Sequence, residues 1–225
     1  MRIAEVFHSI QGEGMYAETP SVFVRTTGCN LRCWFCDTRY TSWEPEGEHR
    51  SWQAVFEMVR AFDCEHVVVT GGEPMLQTDV VALTWRLGQA GHFVTFETAG
   101  TVARPVHADL MSLSPKLSNS TPPTGPWAKR HELLRDNRGV AAQLMREYPY
   151  QLKFVIDQRE DVSTVCDYLA RFEDVQPDRV WLMPQAVTKD QLQQKTAWLE
   201  DEAHRLGFRV SPRLHIERFG NVRGK

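Results

Sequence analysis

Three cysteines lie close together near the N-terminus, Cys29, Cys33 and Cys36 in the run CNLRCWFC. A loop with C-x3-C-x2-C spacing is too short to send its thiolates apart, so it is expected to wrap them around one centre. A tetrahedral metal site or a cubane iron–sulfur cluster normally takes four ligands, and no fourth Cys or His stands near in sequence. The spacing therefore favours a cluster with one open iron. A zinc knuckle completed by a distant His, or three buried thiols, are the alternatives.

Other polar side chains stand at the ends of predicted strands, where they could bind a ligand. Arg25 could present its planar fork to a carboxylate or form a surface salt bridge. Glu97 could bind ribose hydroxyls or pair with a nearby Lys or Arg. Ser114 and Lys116 suit an anionic or ribose-bearing ligand, although a lysine after a turn is often merely solvated.

Two glycine-containing stretches could bring backbone close to a ligand. They are Gln11-Gly12-Glu13-Gly14, in a loop, and Thr70-Gly71-Gly72-Glu73-Pro74, at the end of an apolar strand. Glycine-rich turns are common without any ligand, so each stretch alone is weak evidence of function.

Taken together, the motifs resemble a known superfamily and one family within it. C-x3-C-x2-C with an aromatic residue before the last Cys is similar to the signature of radical S-adenosylmethionine (SAM) enzymes. The succession of motifs resembles the 7-carboxy-7-deazaguanine synthase family: QGEG at 11–14, CDT at 36–38, TGGEP at 70–74, ETAGT at 97–101 and SPK at 114–116. The likeness runs from about Glu5 to the end and is weaker between Leu117 and Tyr150.

The resemblance implies three cofactors and assigns residues to them. A [4Fe-4S] cluster would be held by the three cysteines, its open iron would chelate SAM, and Mg²⁺ would be bound by Thr38, which by itself suggests only a turn or an N-cap. The residues implied for SAM are Gly72, Glu73, Glu97, Ser114, Pro115, Lys116 and Gln185. Those implied for the substrate are Ile10, Gln11, Gly12, Glu13, Arg25, Thr70 and His215.

The implied reaction is the conversion of 6-carboxy-5,6,7,8-tetrahydropterin to 7-carboxy-7-deazaguanine with loss of ammonia, in 7-deazapurine and queuosine biosynthesis. Reductive cleavage of SAM would start it, so the resemblance implies a flavodoxin-like or other electron donor, and it also implies a homodimer. One alternative is a radical SAM activase that places a glycyl radical on a partner protein, although such activases do not combine the QGEG start with Cys-Asp-Thr. The other is a non-enzymatic zinc-binding module.

The elements that must position these residues alternate between strand and helix. Strands are predicted at 3–7, 21–25, 66–70, 92–97, 110–114, 151–156, 179–183 and 208–216, and helices at about 51–62, 78–91, 129–148, 160–172 and 190–206. This order favours an α/β fold with a parallel sheet, and the motifs follow strand ends, as in (β/α) barrels. The βα units are too few for an eightfold barrel. We therefore expect one domain over 1–225 with a partial (β/α)6-type barrel, as in radical SAM enzymes. An irregular segment is expected at about 117–150.

Composition narrows the setting of the protein. The net charge is −3, so no basic field indicates nucleic-acid binding. Five cysteines, an odd number with three clustered, argue against a disulfide framework and favour a reducing, cytoplasmic environment. No apolar run is long enough to cross a membrane, and the N-terminus does not read as a signal peptide.

Overall fold

A sheet of nine strands forms the centre of the protein, in a computed structural model that describes residues 1–224. Its strands are β1 (Arg2–Ile10), β2 (Pro20–Thr26), β3 (Glu48–His49), β4 (His66–Gly71), β5 (Phe93–Thr98), β6 (Leu110–Leu113), β7 (Tyr150–Ile156), β8 (Val180–Pro184) and β9 (Arg209–Val210). They lie in the order β3-β1-β2-β4-β5-β6-β7-β8-β9.

Helices connect most of the neighbouring parallel strands. They are α1 (Arg39–Ser42), α2 (Trp52–Arg60), α3 (Val80–Gln89), α4 (Pro126–Arg135), α5 (Arg138–Glu147), α6 (Glu160–Leu169), α7 (Lys189–Leu206) and α8 (Leu214–Phe219). Short 3-10 turns lie at Pro74–Leu76, Ser118–Ser120 and Pro177–Arg179. The connection from β5 to β6 is a loop.

Along the sheet, the neighbouring strands β2, β4, β5, β6, β7, β8 and β9 pair in parallel, and β1 is antiparallel to β2. The apolar strand β4 is buried along Val67, Val68 and Val69, as expected for a strand covered on both faces. The described sheet has two ends, β3 and β9, so it does not close. This architecture confirms the predicted α/β fold, a partial barrel with its strand ends gathered at one edge.

The predicted helix at 129–148 is wrong in its extent, because the structure has two helices there. α4 ends at Arg135, and α5 begins at Arg138 after Asp136 and Asn137. The Asn137 side chain accepts a hydrogen bond from the Val140 amide at 3.3 Å and so caps α5. Asp and Asn compete for backbone hydrogen bonds in this way, which makes them better caps than helix interiors.

The predicted last strand at 208–216 is also wrong beyond its start. The strand β9 stops at Val210, and residues 214–219 form the helix α8. Pro212 lacks the amide that would continue a ladder, so the chain turns there. This turn brings Arg213 and His215 to the carboxyl edge of the sheet.

None of the helices among residues 1–224 combines the length and the apolar character that a membrane crossing requires.

Candidate active site

A cavity of about 470 Å³ opens at the carboxyl edge of the parallel strands. This volume lies in the usual range for a small-molecule site. Nearly all residues that the sequence assigned to ligands line it: Ile10, Gln11, Gly12, Glu13, Arg25, Cys29, Cys33, Cys36, Thr38, Thr70, Gly72, Glu97, Ser114, Lys116, Gln185 and His215. Two predicted SAM residues, Glu73 and Pro115, are not among those that line it. The fold therefore brings the two predicted groups, for SAM and for substrate, to one cavity.

The cysteine loop follows β2 and occupies one end of the cavity. The Leu31 amide lies 3.4 Å from the Cys29 sulfur, and the Ser42 hydroxyl lies 3.2 Å from the Cys36 sulfur. Among residues 1–224, the three cysteine sulfurs do not form a group within 4.8 Å of one another.

Burial raises the pKa of Cys29 and of Cys33 to about 12. Both thiols are consequently held in their neutral form unless a positive centre lies between them. A bound metal or iron–sulfur centre supplies that charge and deprotonates its thiol ligands. The loop thus has the donor set and the environment of a metallocentre.

A buried histidine from α4 holds the cysteine loop in place. The Arg32 amide donates to His131 Nδ1 at 3.0 Å, and His131 Nε2 lies 2.9 Å from the Ser120 hydroxyl. Burial lowers the pKa of His131 to about 4, so the ring is neutral at pH 7. The Arg32 guanidinium donates to the carbonyl of Cys29 and stacks 4.0 Å from the Trp127 ring centroid. The sequence analysis assigned no site to this segment.

The glycines after β4 allow the loops to pack closely. A Cβ on Gly72 would lie 2.2 Å from the Gly28 carbonyl oxygen, so no other residue fits without moving backbone. Glu73 is fully buried, and its carboxylate accepts hydrogen bonds from the Thr98 hydroxyl at 2.8 Å and the Ala99 amide at 2.9 Å. Burial raises the pKa of Glu73. Its side chain thereby ties the end of β4 to the end of β5.

Apart from Glu97 in β5, the remaining residues predicted for SAM lie just after the ends of β6 and β8. The Lys116 ammonium donates to the Ser114 hydroxyl at 2.6 Å, and both side chains line the cavity. The Gln185 side-chain oxygen accepts from Lys195 at 3.3 Å. These groups offer a cation, a hydroxyl and an amide to a polar ligand.

The QGEG loop also lines the cavity and packs against the C-terminal segment. The Leu214 amide donates to the Gly12 carbonyl at 3.1 Å, and a Cβ on Gly12 would lie 2.7 Å from His215 Nδ1. Burial lowers the pKa of His215, so its ring is neutral at pH 7. Glycine at position 12 is therefore what allows His215 to lie against this loop.

Arg25 lines the cavity but already has an acidic partner. Its Nε donates to Glu5 Oε1 at 2.7 Å, and the Tyr40 hydroxyl donates to the same oxygen at 2.7 Å. Thr38 also lines the cavity, next in sequence to Asp37.

Two buried cations complete the cavity, and the sequence analysis missed both. Lys153 in β7 lies 2.6 Å from Glu13 Oε2 and 3.3 Å from Glu97 Oε1. Glu97 therefore has the lysine partner that the sequence left as one of two alternatives. A lysine between the buried Leu152 and Phe154 was the available signal, since a buried lysine is rare unless paired.

Arg213 is the second buried cation, only 5% exposed. It donates to Asp37 Oδ2 at 2.6 Å and to the Ala186 carbonyl at 2.7 Å. Glu13, Asp37 and His215 each bring one ligand atom within 4.8 Å of the others, but the Arg213 guanidinium already supplies a positive charge there. Burial favours a neutral Glu13, yet Lys153 and Arg213 hold the pKa of this carboxyl well below its usual range.

Comparison with known proteins decides the family. The Radical SAM superfamily model matches residues 23–117. A 7-carboxy-7-deazaguanine synthase of Rhodopirellula baltica is 43% identical over 99% of this chain and 88% of the relative. One of Halobacterium salinarum is 41% identical over 95% of this chain and 88% of the relative. The chain belongs to the 7-carboxy-7-deazaguanine synthase family. It is thus a radical SAM enzyme, a class that carries a [4Fe-4S] cluster and uses SAM.

The fold of this chain is similar to that of a solved structure. The crystal structure of QueE from Escherichia coli matches with a TM-score of 0.67 and 21% identity, covering 93% of this chain and 92% of that one. Family membership confirms the resemblance drawn from the motifs. It leaves no support for the glycyl-radical activase or for the zinc-binding module.

Proposed function

We propose that this radical SAM enzyme converts 6-carboxy-5,6,7,8-tetrahydropterin to 7-carboxy-7-deazaguanine with loss of ammonia. The observation that carries the proposal is the shared cavity, which is lined by the cysteine loop together with Glu13, Arg25 and Thr70. The names of the relatives at 43% and 41% identity supply the product. When bound, the cluster and SAM would supply a radical able to remove hydrogen from a carbon atom of the substrate.

Cys29, Cys33 and Cys36 would hold the iron–sulfur centre. Gly72 would let SAM approach the backbone, and Ser114, Lys116 and Gln185 would bind its polar groups. Glu73, buried and bonded to Thr98 and Ala99, would act by positioning the loop that carries Gly72. Pro115 would set the turn between Ser114 and Lys116. Glu97, bonded to Lys153 and Thr70, would bind SAM only through its remaining acceptor capacity.

Charged groups, an amide and a hydroxyl would orient the pterin in the same cavity. Glu13, held in its charged form, would accept hydrogen bonds from N–H groups, and Gln11 would add an amide. Arg25 would bring positive charge to the substrate carboxylate, and the Thr70 hydroxyl would add a hydrogen bond. Ile10, Gly12 and His215 would complete this wall, with His215 neutral.

In the proposed function, Thr38 would bind a Mg²⁺ ion. A threonine hydroxyl is a hard oxygen ligand, and Mg²⁺ usually takes few protein ligands together with water and substrate oxygens. Thr38 lines the same cavity as Arg25 and lies two residues after Cys36. There, Mg²⁺ would bind the substrate carboxylate.

The electron donor, the oligomeric state and the cell compartment are also part of the proposal. Reductive use of SAM requires an electron donor, of flavodoxin type or another low-potential carrier. The family resemblance favours a homodimer, and unpaired, clustered cysteines favour the cytoplasm.

An anaerobic turnover assay tests the proposal. The reconstituted enzyme is given SAM, Mg²⁺, a reductant and 6-carboxytetrahydropterin, and products are followed by mass spectrometry. We expect 7-carboxy-7-deazaguanine well in excess of the SAM consumed. Formation of 5′-deoxyadenosine without this product would overturn the substrate while leaving the radical SAM chemistry intact.

A further inference from the structure

Lys153 is an unusual residue for the middle of a buried strand. Its side chain is 5% exposed, and its neighbours Leu152 and Phe154 are fully buried. Burying an ammonium group is costly unless it is paired and hydrogen-bonded. The position of Lys153 is therefore explained by its partners and not by the packing of β7.

Those partners come from distant parts of the chain. Lys153 Nζ lies 2.6 Å from Glu13 Oε2 in the QGEG loop and 3.3 Å from Glu97 Oε1 at the end of β5. Glu97 in turn accepts from the Thr70 hydroxyl at 2.7 Å and from Gln11 Nε2 at 3.4 Å. One ammonium group thus joins four residues that the sequence had assigned to substrate or SAM.

We propose that Lys153 is a positioning residue for the substrate. Its ammonium group holds the carboxylates of Glu13 and Glu97 charged and in a fixed orientation, so that the remaining acceptor sites of Glu13 serve N–H groups of the bound pterin. A carboxylate has about four lone-pair positions, so Glu13 keeps capacity for a ligand after bonding Lys153. The inference deepens the proposed function and rests on it.

Other charged groups around Glu13 compensate its charge less directly than Lys153 does. Arg213 Nε lies 3.5 Å from Glu13 Oε1, and Arg213 shares its charge with Asp37 at 2.6 Å. His215 Nε2 lies 3.8 Å away, and burial favours its neutral form. Glu97, the second carboxylate, contacts the same ammonium as Glu13. Without Lys153, burial and the nearby carboxylate would both favour protonation of Glu13.

The test compares Lys153→Met with Lys153→Arg in reconstituted holoenzyme. For Lys153→Met we expect the Michaelis constant for 6-carboxytetrahydropterin to rise at least about tenfold at pH 7. The increase should grow as the pH falls from 8 to 6, because a protonated Glu13 loses acceptor capacity. The unsubstituted enzyme should show no such pH dependence, and Lys153→Arg should recover part of the affinity by keeping the charge.

Lys129→Met is the matched control, since Lys129 is an exposed lysine of α4. Cluster content and far-UV circular dichroism identify variants that fail to fold. If Lys153→Met fails to fold, the double variant Lys153→Met/Glu97→Gln is tested instead, because it removes one of the two carboxylates left without a cation. This double variant must still show the pH-dependent Michaelis constant.

Two outcomes separate this inference from the proposed function. If the unsubstituted enzyme cleaves SAM but does not turn over the pterin, the proposed function is wrong. If it turns over the pterin and the folded Lys153→Met variant has the same Michaelis constant at every pH, the positioning role of Lys153 is wrong. A raised constant that does not change with pH would also overturn it, since a general loss of packing would produce that result.

Discussion

The three cysteine sulfurs, though close in sequence, have different hydrogen-bond surroundings. Cys29 accepts from the Leu31 amide, whereas Cys36 lies 3.2 Å from the hydroxyl of Ser42, a residue 3% exposed. Bound to iron, Cys36 is a thiolate, so the Ser42 hydroxyl must donate. Hydrogen bonds to cluster sulfurs are one of the means by which proteins set reduction potentials.

Replacing Ser42 by alanine should make the cluster harder to reduce. A hydrogen bond to the Cys36 thiolate stabilises the more negative, reduced state, and its loss at about 0.5–1.5 kcal/mol corresponds to a fall of roughly 20–60 mV. Potentiometric titration followed by electron paramagnetic resonance measures this shift. Ser42→Thr keeps the hydroxyl and is the control. Equal potentials in Ser42→Ala and the unsubstituted enzyme would contradict the prediction.

At the scale of elements, the segment before and within α4 supports the cysteine loop from outside. The Trp34 indole donates to the Asn119 carbonyl at 2.7 Å, and the Trp34 amide donates to the Ser120 carbonyl at 3.1 Å. His131 adds the bond to the Arg32 amide. This segment, irregular in sequence, therefore supports the cysteine loop from outside.

His131→Asn should lower the stability of the apoprotein at pH 7.5 by about 1–3 kcal/mol, because at least one of its two partners, the Arg32 amide and the buried Ser120 hydroxyl, loses its bond. The difference from the unsubstituted protein should shrink as the pH falls. Burial lowers the pKa of folded His131 to about 4, so its stabilising contribution is present above the unfolded value near 6.5 and is lost between 6.5 and 4.

Urea unfolding of the two apoproteins at pH 7.5 and at 4.5 measures both effects. Gly139→Ala, in the exposed first turns of α5, is the control for changes in this region and should not depend on pH. A difference between the two proteins that grows toward pH 4.5 would show that His131 is charged in the folded state, against the prediction.

At the scale of the whole molecule, Arg213 joins parts of the chain that are far apart in sequence. It links the C-terminal segment to Asp37, 176 residues earlier, and to the Ala186 carbonyl at the end of β8. The Gly14 amide, which donates to the Ser211 hydroxyl at 3.0 Å, strengthens the same junction. The C-terminal segment is thus part of the cavity wall.

Arg213→Met should lower the free energy of unfolding by about 1–3 kcal/mol, because it leaves the buried Ala186 carbonyl without a donor and Asp37 without its cation. Arg213→Lys should recover only part of this loss, since one ammonium group does not reproduce a fork that reaches both partners. Urea unfolding at constant pH gives the values. Full recovery by lysine would indicate that charge alone matters at this position.

The sequence by itself determined the chemistry that local spacing encodes. The cysteine spacing, the glycine pairs and the polar residues at strand ends sufficed for the family, for the α/β fold and for part of the cavity lining, because the carboxyl ends of parallel strands meet at one edge. Element boundaries at 136–137 and 212 were missed, since capping by Asn137 and the turn at Pro212 compete with longer regular elements.

Only the tertiary structure decided which charges meet. Lys153 and Glu13 are 140 residues apart, and Arg213 and Asp37 are 176 apart. Such pairs depend on strand order and on how the C-terminal segment packs against the QGEG loop, and no local propensity encodes either. Buried cations have meaning only through the partners that compensate them, and for this reason the sequence could not identify the roles of Lys153 and Arg213.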